Sequence, residues 1–227
     1  MAGEEGLRER RKQRTRRLVS ETAWRLFADR GFDQVTVADV ARAAEVAEAT
    51  VFNYFRTKEA LVFQGMEAFE AALLEAVRSR APGETPVSAV GGFLRARGQA
   101  ALDPAIGDVI VTGARIVEES PALRVREAQI LDGHAQALAR LLAEDTGAAP
   151  GDPEPQAAAH ALIGLHRTIL RSTRRAALAG LRGRRLADEV QDHIARAVAV
   201  VAQGLQDYGR RADPDTRAVP ADAESAG

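Results

Sequence analysis

Residues 36–55, TVADVARAAEVAEATVFNYF, constrain this chain more than any other stretch. Thr36 is placed to cap a helix, and Asp39, three residues on, to return the bond, a variant of the capping box. Val37, Val40, Ala41 and Ala44 then form the inner face of a short helix, Glu45-Val46-Ala47 breaks it, and a second short helix is expected over residues 48–55. Cap, short helix, three-residue turn and short helix make a helix-turn-helix. Such a unit lays its second helix in the major groove of DNA, about 12 Å wide, while the first braces across the backbone. The second helix points Glu48, Ala49, Thr50, Phe52, Asn53 and Tyr54 outward and turns Val51 and Phe55 in against Val40 and the preceding helix. Asn53 suits adenine N6 and N7, and Glu48 suits cytosine N4. The plainer role of Glu48 is a favourable first-turn anion, and that of Thr36 a helix cap.

The rest of the chain reads as helix. There is no sustained period-two alternation and no Asn-Gly or Asp-Gly hairpin signal, so an all-α protein is expected. Val19, Ala23, Leu26 and Phe27 recur at helical spacing up to Gly31, placing a first helix over residues 14–30. Thr57 caps the next one, whose stripe of Val62, Met66, Phe69, Leu73 and Val77 predicts a continuous rod of about 22 residues, roughly 33 Å long. Pro/Gly loops over residues 80–86 and 146–155 frame helices near 87–101, 105–119 and 122–145, and two long helices follow near 156–179 and 184–208. Aromatic residues crowd the first 70 positions, and alanine and aliphatic residues fill the remainder, so a boundary falls near Lys58. Four segments result: a flexible basic arm (1–13), the helix-turn-helix domain (14–57), a large helical domain (58–208) and a disordered tail (209–227).

Whole-chain charge, -1, says nothing of a nucleic-acid partner, but its distribution does. Residues 8–17 hold seven basic residues and one acid, a net +6 in ten positions, and Arg14 within this arm is a candidate phosphate or minor-groove contact. Cysteine is absent, which removes disulfides, thiolate zinc sites and cysteine nucleophiles and fits a reducing interior. No apolar run approaches the roughly 18 residues needed to span a bilayer, and residues 1–17 are charged where a signal peptide is apolar, so a soluble cytoplasmic protein with no membrane partner is expected. There is no Gly-rich phosphate loop, paired-carboxylate motif or nucleophile elbow, and an enzyme is not expected. Glu189 and His193 share a helix face, a spacing too common to mark a metal site; neither a metal nor a cofactor is expected.

Residues 31–61 carry a series of motifs in register: Gly31-Phe32, Thr36-Val37-Ala38-Asp39-Val40-Ala41, Ala44-Glu45-Val46-Ala47, Thr50-Val51-Phe52-Asn53-Tyr54-Phe55 and Lys58-Glu59-Ala60-Leu61. This pattern resembles the DNA-binding domain of the TetR/AcrR family of transcriptional regulators. The resemblance implies that Thr36, Thr50, Tyr54 and Lys58 grip phosphates and that the residues after about 80 form a ligand-binding and dimerisation domain. It also implies a homodimeric regulator, a repressor released from a palindromic double-stranded operator by a small-molecule effector. An activator or ligand-independent regulator of the same fold is the alternative, and a helical enzyme a remote one. Three positions depart from the family pattern. Glu45 stands where the turn has glycine, Ala47 where a serine caps the recognition helix, and Phe52 where a tyrosine is usual.

Candidate effector contacts are Arg97, Ile110, Gly113 and Arg115, with Glu118 nearby. Glycines at 91, 92, 98, 107 and 113 fall inside predicted helices, each costing about 1 kcal/mol against alanine. Either the backbone bends there around a small molecule or the helices are broken. The scarcity of aromatics after residue 70 favours an aliphatic ligand. The last two helices carry seams at Leu162, Leu165 and Ile169 and at Val190, Ile194 and Val201, which pack either on the internal core or on a second copy; they are taken as the dimer interface. The arginine-rich residues 167–185 suit an anion, an acidic neighbour or a solvated face.

Overall fold

A computed structural model describes residues 2–205 and 208. Nine α-helices account for most of it: α1 (Ala2–Arg30), α2 (Val37–Ala43), α3 (Glu48–Tyr54), α4 (Met66–Arg78), α5 (Pro86–Gln99), α6 (Pro104–Glu119), α7 (Pro121–Thr146), α8 (Glu154–Leu178) and α9 (Gly183–Leu205). Among the described residues there is no strand, and no helix is long and apolar enough to cross a membrane. The expected tail over 209–227 lies outside the described residues.

Helix boundaries follow local chemistry. Gly31 ends α1 at φ +81°, its N–H donating to the Phe27 carbonyl, a conformation that costs glycine little. Three later helices open on one device, a capping side chain followed by proline: Thr85-Pro86, Asp103-Pro104 and Ser120-Pro121. The cap satisfies a free N–H, and proline sits where no N–H is needed.

Two elements differ from the sequence reading. The basic residues of the arm lie on α1, which is continuous from Ala2, so this segment is helical rather than a flexible extension. The rod expected from Lys58 is broken: a 3-10 turn at Glu59–Leu61 is followed by α4, which starts only at Met66. The break has a visible cause. The Leu61 carbonyl, which a continuous helix would pair with the N–H four residues on, instead accepts a bond of 3.1 Å from the Trp24 indole.

Two hydrophobic cores result. One unites α1 to α3 through Val19, Phe27, Phe32, Val40, Val51, Phe55 and Leu61, and it extends beyond the expected boundary to Ile116, Val117 and Leu123 of α6 and α7. The other fills the α4–α9 bundle, with α8 at its centre. The seam residues belong to this second core. Leu162, Leu165, Ile169, Val190 and Ile194 are buried within one chain and are not free for a second copy, whereas Val201 is only half-buried against the same core. Removing these side chains from water contributes about 1.5 to 3 kcal/mol each, and that gain is already taken inside the subunit.

Candidate nucleic-acid interface

The geometry of the helix-turn-helix begins with the predicted capping box. Thr36 Oγ1 accepts from the Asp39 N–H at 3.1 Å, while Asp39 accepts from the Thr36 N–H at 2.9 Å and from its hydroxyl at 2.7 Å. These bonds, first the backbone one, pull the Asp39 carboxyl down to a pKa of about 2. Without DNA, the Thr36 hydroxyl donates to Asp39, so the side chain serves as the cap of α2.

Glu45 turns the chain at φ +55°, the left-handed region that glycine adopts without strain, and its N–H donates to the Arg42 carbonyl. The turn therefore keeps its glycine-like path despite the substitution. Ala47 precedes α3 with no side-chain cap, as its missing hydroxyl requires.

On α3, Val51 is buried, as is Phe55 just after it, as expected. Glu48, Ala49, Phe52 and Asn53 are exposed and, being three and four apart, share one face; Phe52 is 48% exposed, unusual for so large an apolar ring. Thr50 and Tyr54 are half-buried at the edge of this face, Tyr54 packing on the core beneath. Arg14 is exposed on α1, two residues from Arg16, whose guanidinium lies 5.6 Å from the centre of the Phe55 ring.

Lys58 is already engaged within the chain. Its ammonium donates to the carbonyls of Phe32 and Val35, both at 3.0 Å, and sits 4.0 Å from the centre of the Phe32 ring. Two of its three donors and its charge thus hold the loop between α1 and α2. At most one N–H remains for DNA.

The helical domain contains a cavity of about 530 Å³ between α4, α5, α6, α8 and α9. Arg97, Ile110 and Gly113 line it, as expected of effector contacts. Arg115 does not: its guanidinium donates to the Ala28 carbonyl at 2.9 Å, tying α6 to the end of α1. Ser120 adds a second tie, its hydroxyl donating to Asp33 at 2.9 Å. Glu118 is 3.9 Å from Arg174. The glycines at 91, 92, 98, 107 and 113 do not break their helices, which run on through them. A Cβ on Gly91 would meet Val198 at 3.1 Å, one on Gly98 would meet Gln191 and Ile194 at 2.8 and 2.9 Å, and one on Gly113 would meet the Trp24 ring at 3.0 Å. Close packing of neighbours offsets the helical cost of these three; a Cβ on Gly92 would meet nothing within 4 Å.

The cavity wall also includes residues the sequence did not mark. Trp24 reaches it from α1, and His166, 5% exposed, stacks on Phe69 with ring centres 4.3 Å apart. Burial, then the charges of His134 and Arg97, push the His166 pKa down to about 3, so the imidazole is neutral. His134 is lowered too, again by burial first, although Glu70 at 3.3 Å opposes it. Neither histidine carried a spacing signal.

A small capped helix-turn-helix, joined to a helical domain with an open, largely apolar cavity, defines a helix-turn-helix DNA-binding protein. Residues 20–64 match the family described as bacterial regulatory proteins, tetR family, and residues 84–174 match the MftR C-terminal domain. The chain belongs to the TetR family of DNA-binding transcriptional regulators. It is 32% identical over 149 residues to the HTH-type transcriptional regulator TcmR of Streptomyces glaucescens, a match covering 63% of this chain and 65% of TcmR, slightly under two thirds of the relative. It is 28% identical over 165 residues to MftR of Mycobacterium tuberculosis, described as a mycofactocin biosynthesis transcriptional regulator, covering 69% of this chain and 78% of MftR. Its fold is also that of Thermus thermophilus FadR, a TetR-family repressor solved with lauroyl-CoA, with a TM-score of 0.51 at 23% identity over 93% of this chain and 99% of the other. These relatives regulate transcription and are not enzymes.

Proposed function

We propose that this chain is a homodimeric, sequence-specific repressor that a small molecule releases from a palindromic operator. Exposed Glu48, Ala49, Phe52 and Asn53 read base edges from the face of α3, and Thr50, Tyr54 and Arg14 hold phosphates alongside. Two copies place their recognition helices about 34 Å apart, one helical turn of DNA.

The observation that carries this reading is the position of Trp24. The indole belongs to α1 of the DNA-binding unit, lines the cavity of the helical domain, and bonds the Leu61 carbonyl where the connecting helix is broken. A molecule entering the cavity therefore pushes on the same side chain that sets the angle between the two units. A 100-fold loss of operator affinity needs only about 2.7 kcal/mol of coupling. The Arg115–Ala28 and Ser120–Asp33 ties give α6 and α7 a grip on α1 and its following loop.

Gel shift on the DNA flanking its own gene tests this. Retardation is expected, weakened at least tenfold by Asn53→Ala and more mildly by Tyr54→Phe, which removes only the hydroxyl and keeps the packed ring. Absence of a retarded band with any such fragment at low salt, or full affinity in Asn53→Ala, counts against the reading.

A further inference from the structure

The few polar groups in the cavity wall divide by whether the protein already satisfies them. Arg174 is ion-paired with Glu127 and lies 3.9 Å from Glu118, so its charge is spent internally. Arg97 differs. Among the described residues it has no carboxylate within ion-pair distance; it lines the cavity as an exposed residue, its guanidinium 5.6 Å from the centre of the Phe69 ring and 5.9 Å from that of Phe93. His166 stacks on the same Phe69, and its buried Nδ1 meets no hydrogen-bond partner among the described residues. Around them the wall is apolar, with Val62, Leu94, Ile110, Val117 and Ile169 typical of it.

We infer that the cavity takes an organic anion, an apolar body carrying one acidic head such as a carboxylate, with the head at Arg97 and His166 and the body along α6 and α8. The inference rests on reading this cavity as the effector site. An anion entering an apolar cavity is admitted only where a countercharge and hydrogen bonds replace its water, and Arg97 with the neutral imidazole supplies both. A cationic head meets like charge from Arg97. A neutral head of the same length leaves Arg97 without a countercharge, and hydrogen bonds to charged groups are the stronger kind. About 530 Å³ lies within the roughly 300 to 1,000 Å³ range of small-molecule sites.

The test uses the full chain without DNA and three ten-carbon probes below their micelle concentrations: decanoate, 1-decanol and decylamine. Binding is read by calorimetry and by emission of Trp24, the chain's one tryptophan, which lies in the wall. Decanoate is expected to bind at least tenfold tighter than decanol, with decylamine weakest. Arg97→Gln should shrink the decanoate advantage to threefold or less while leaving the decanol dissociation constant in place, and Arg97→Lys should keep much of it. Equal or tighter binding of decanol or decylamine, an advantage that survives Arg97→Gln, or no binding of any probe overturns the inference. Operator binding is measured separately by gel shift. Retardation without decanoate binding sinks the ligand class alone; decanoate binding without retardation leaves the ligand class standing and sinks the repressor.

Discussion

His166 shows what a single buried residue adds. Its unfolded pKa is near 6.5, and in the fold it is held at about 3, chiefly by burial. Below pH 6.5 the unfolded chain takes up a proton that the folded chain refuses, so stability falls as pH drops from about 6.5 toward 3. At pH 5 the loss from this group is about 2 kcal/mol. Urea midpoints at pH 7 and pH 5 should therefore differ more for the native chain than for His166→Gln; equal differences would contradict the assignment. His134 moves the same way and leaves the variant a residual slope. Residues whose partners lie close in sequence were legible without coordinates. The Thr36–Asp39 box spans three positions, and both its members were read correctly as a cap. The backbone ties of Lys58 and Arg115 were not legible, because the carbonyls they serve lie 26, 23 and 87 positions away. A cation's sequence context does not reveal a carbonyl brought to it by folding.

Elements were legible to the extent that their ends are written in capping residues. The α5, α6 and α7 starts fell within one residue of expectation, since a hydroxyl or carboxylate followed by proline acts locally. The long connecting rod was not foreseen to break, because its interruption depends on the Trp24 indole taking the Leu61 carbonyl from another element. Gly113 is where that indole meets α6. A methyl there would sit 3.0 Å from the Trp24 ring and must displace it, whereas a methyl on Gly92 would meet nothing within 4 Å. Gly113→Ala should therefore shift Trp24 emission and weaken operator binding by roughly threefold to tenfold, equivalent to about 1 kcal/mol. Gly92→Ala should gain up to about 1 kcal/mol of stability from helix propensity and leave operator affinity alone. Equal operator affinities for the two variants would show that Trp24 does not connect the units.

For the whole molecule, the proposed homodimer is the open question. With Leu162, Ile169 and Ile194 spent on the subunit's own core, a dimer built on α8 and α9 would have to use their outward faces, among them Thr168, Arg171, Ala195, Ala199 and Val200. Val200, 73% exposed, is the most exposed large apolar side chain among the described residues. A dimer formed there should be disrupted by Val200→Asp, seen as a shift toward monomer in sedimentation and a matching loss of operator affinity, with the helical content unchanged. A variant that remains dimeric would move the interface elsewhere. The same packing leaves a cleft of about 630 Å³ bordered by α1, the end of α3, α4 and α7.

The sequence alone determined the helical class, the helix-turn-helix, the exposure of Glu48, Ala49, Phe52 and Asn53 (though not the half-burial of Thr50 and Tyr54) and the membership these imply, because each depends on periodicity, caps and turns within a few residues of one another. Tertiary structure decided the rest: that the seams are core, that Lys58 and Arg115 fasten backbone, and that Trp24 and His166 wall a cavity. Amphipathic periodicity says that a face must be buried but not against what, since any apolar partner removes the same surface from water. Which partner is present is settled only when helices distant in the chain come together.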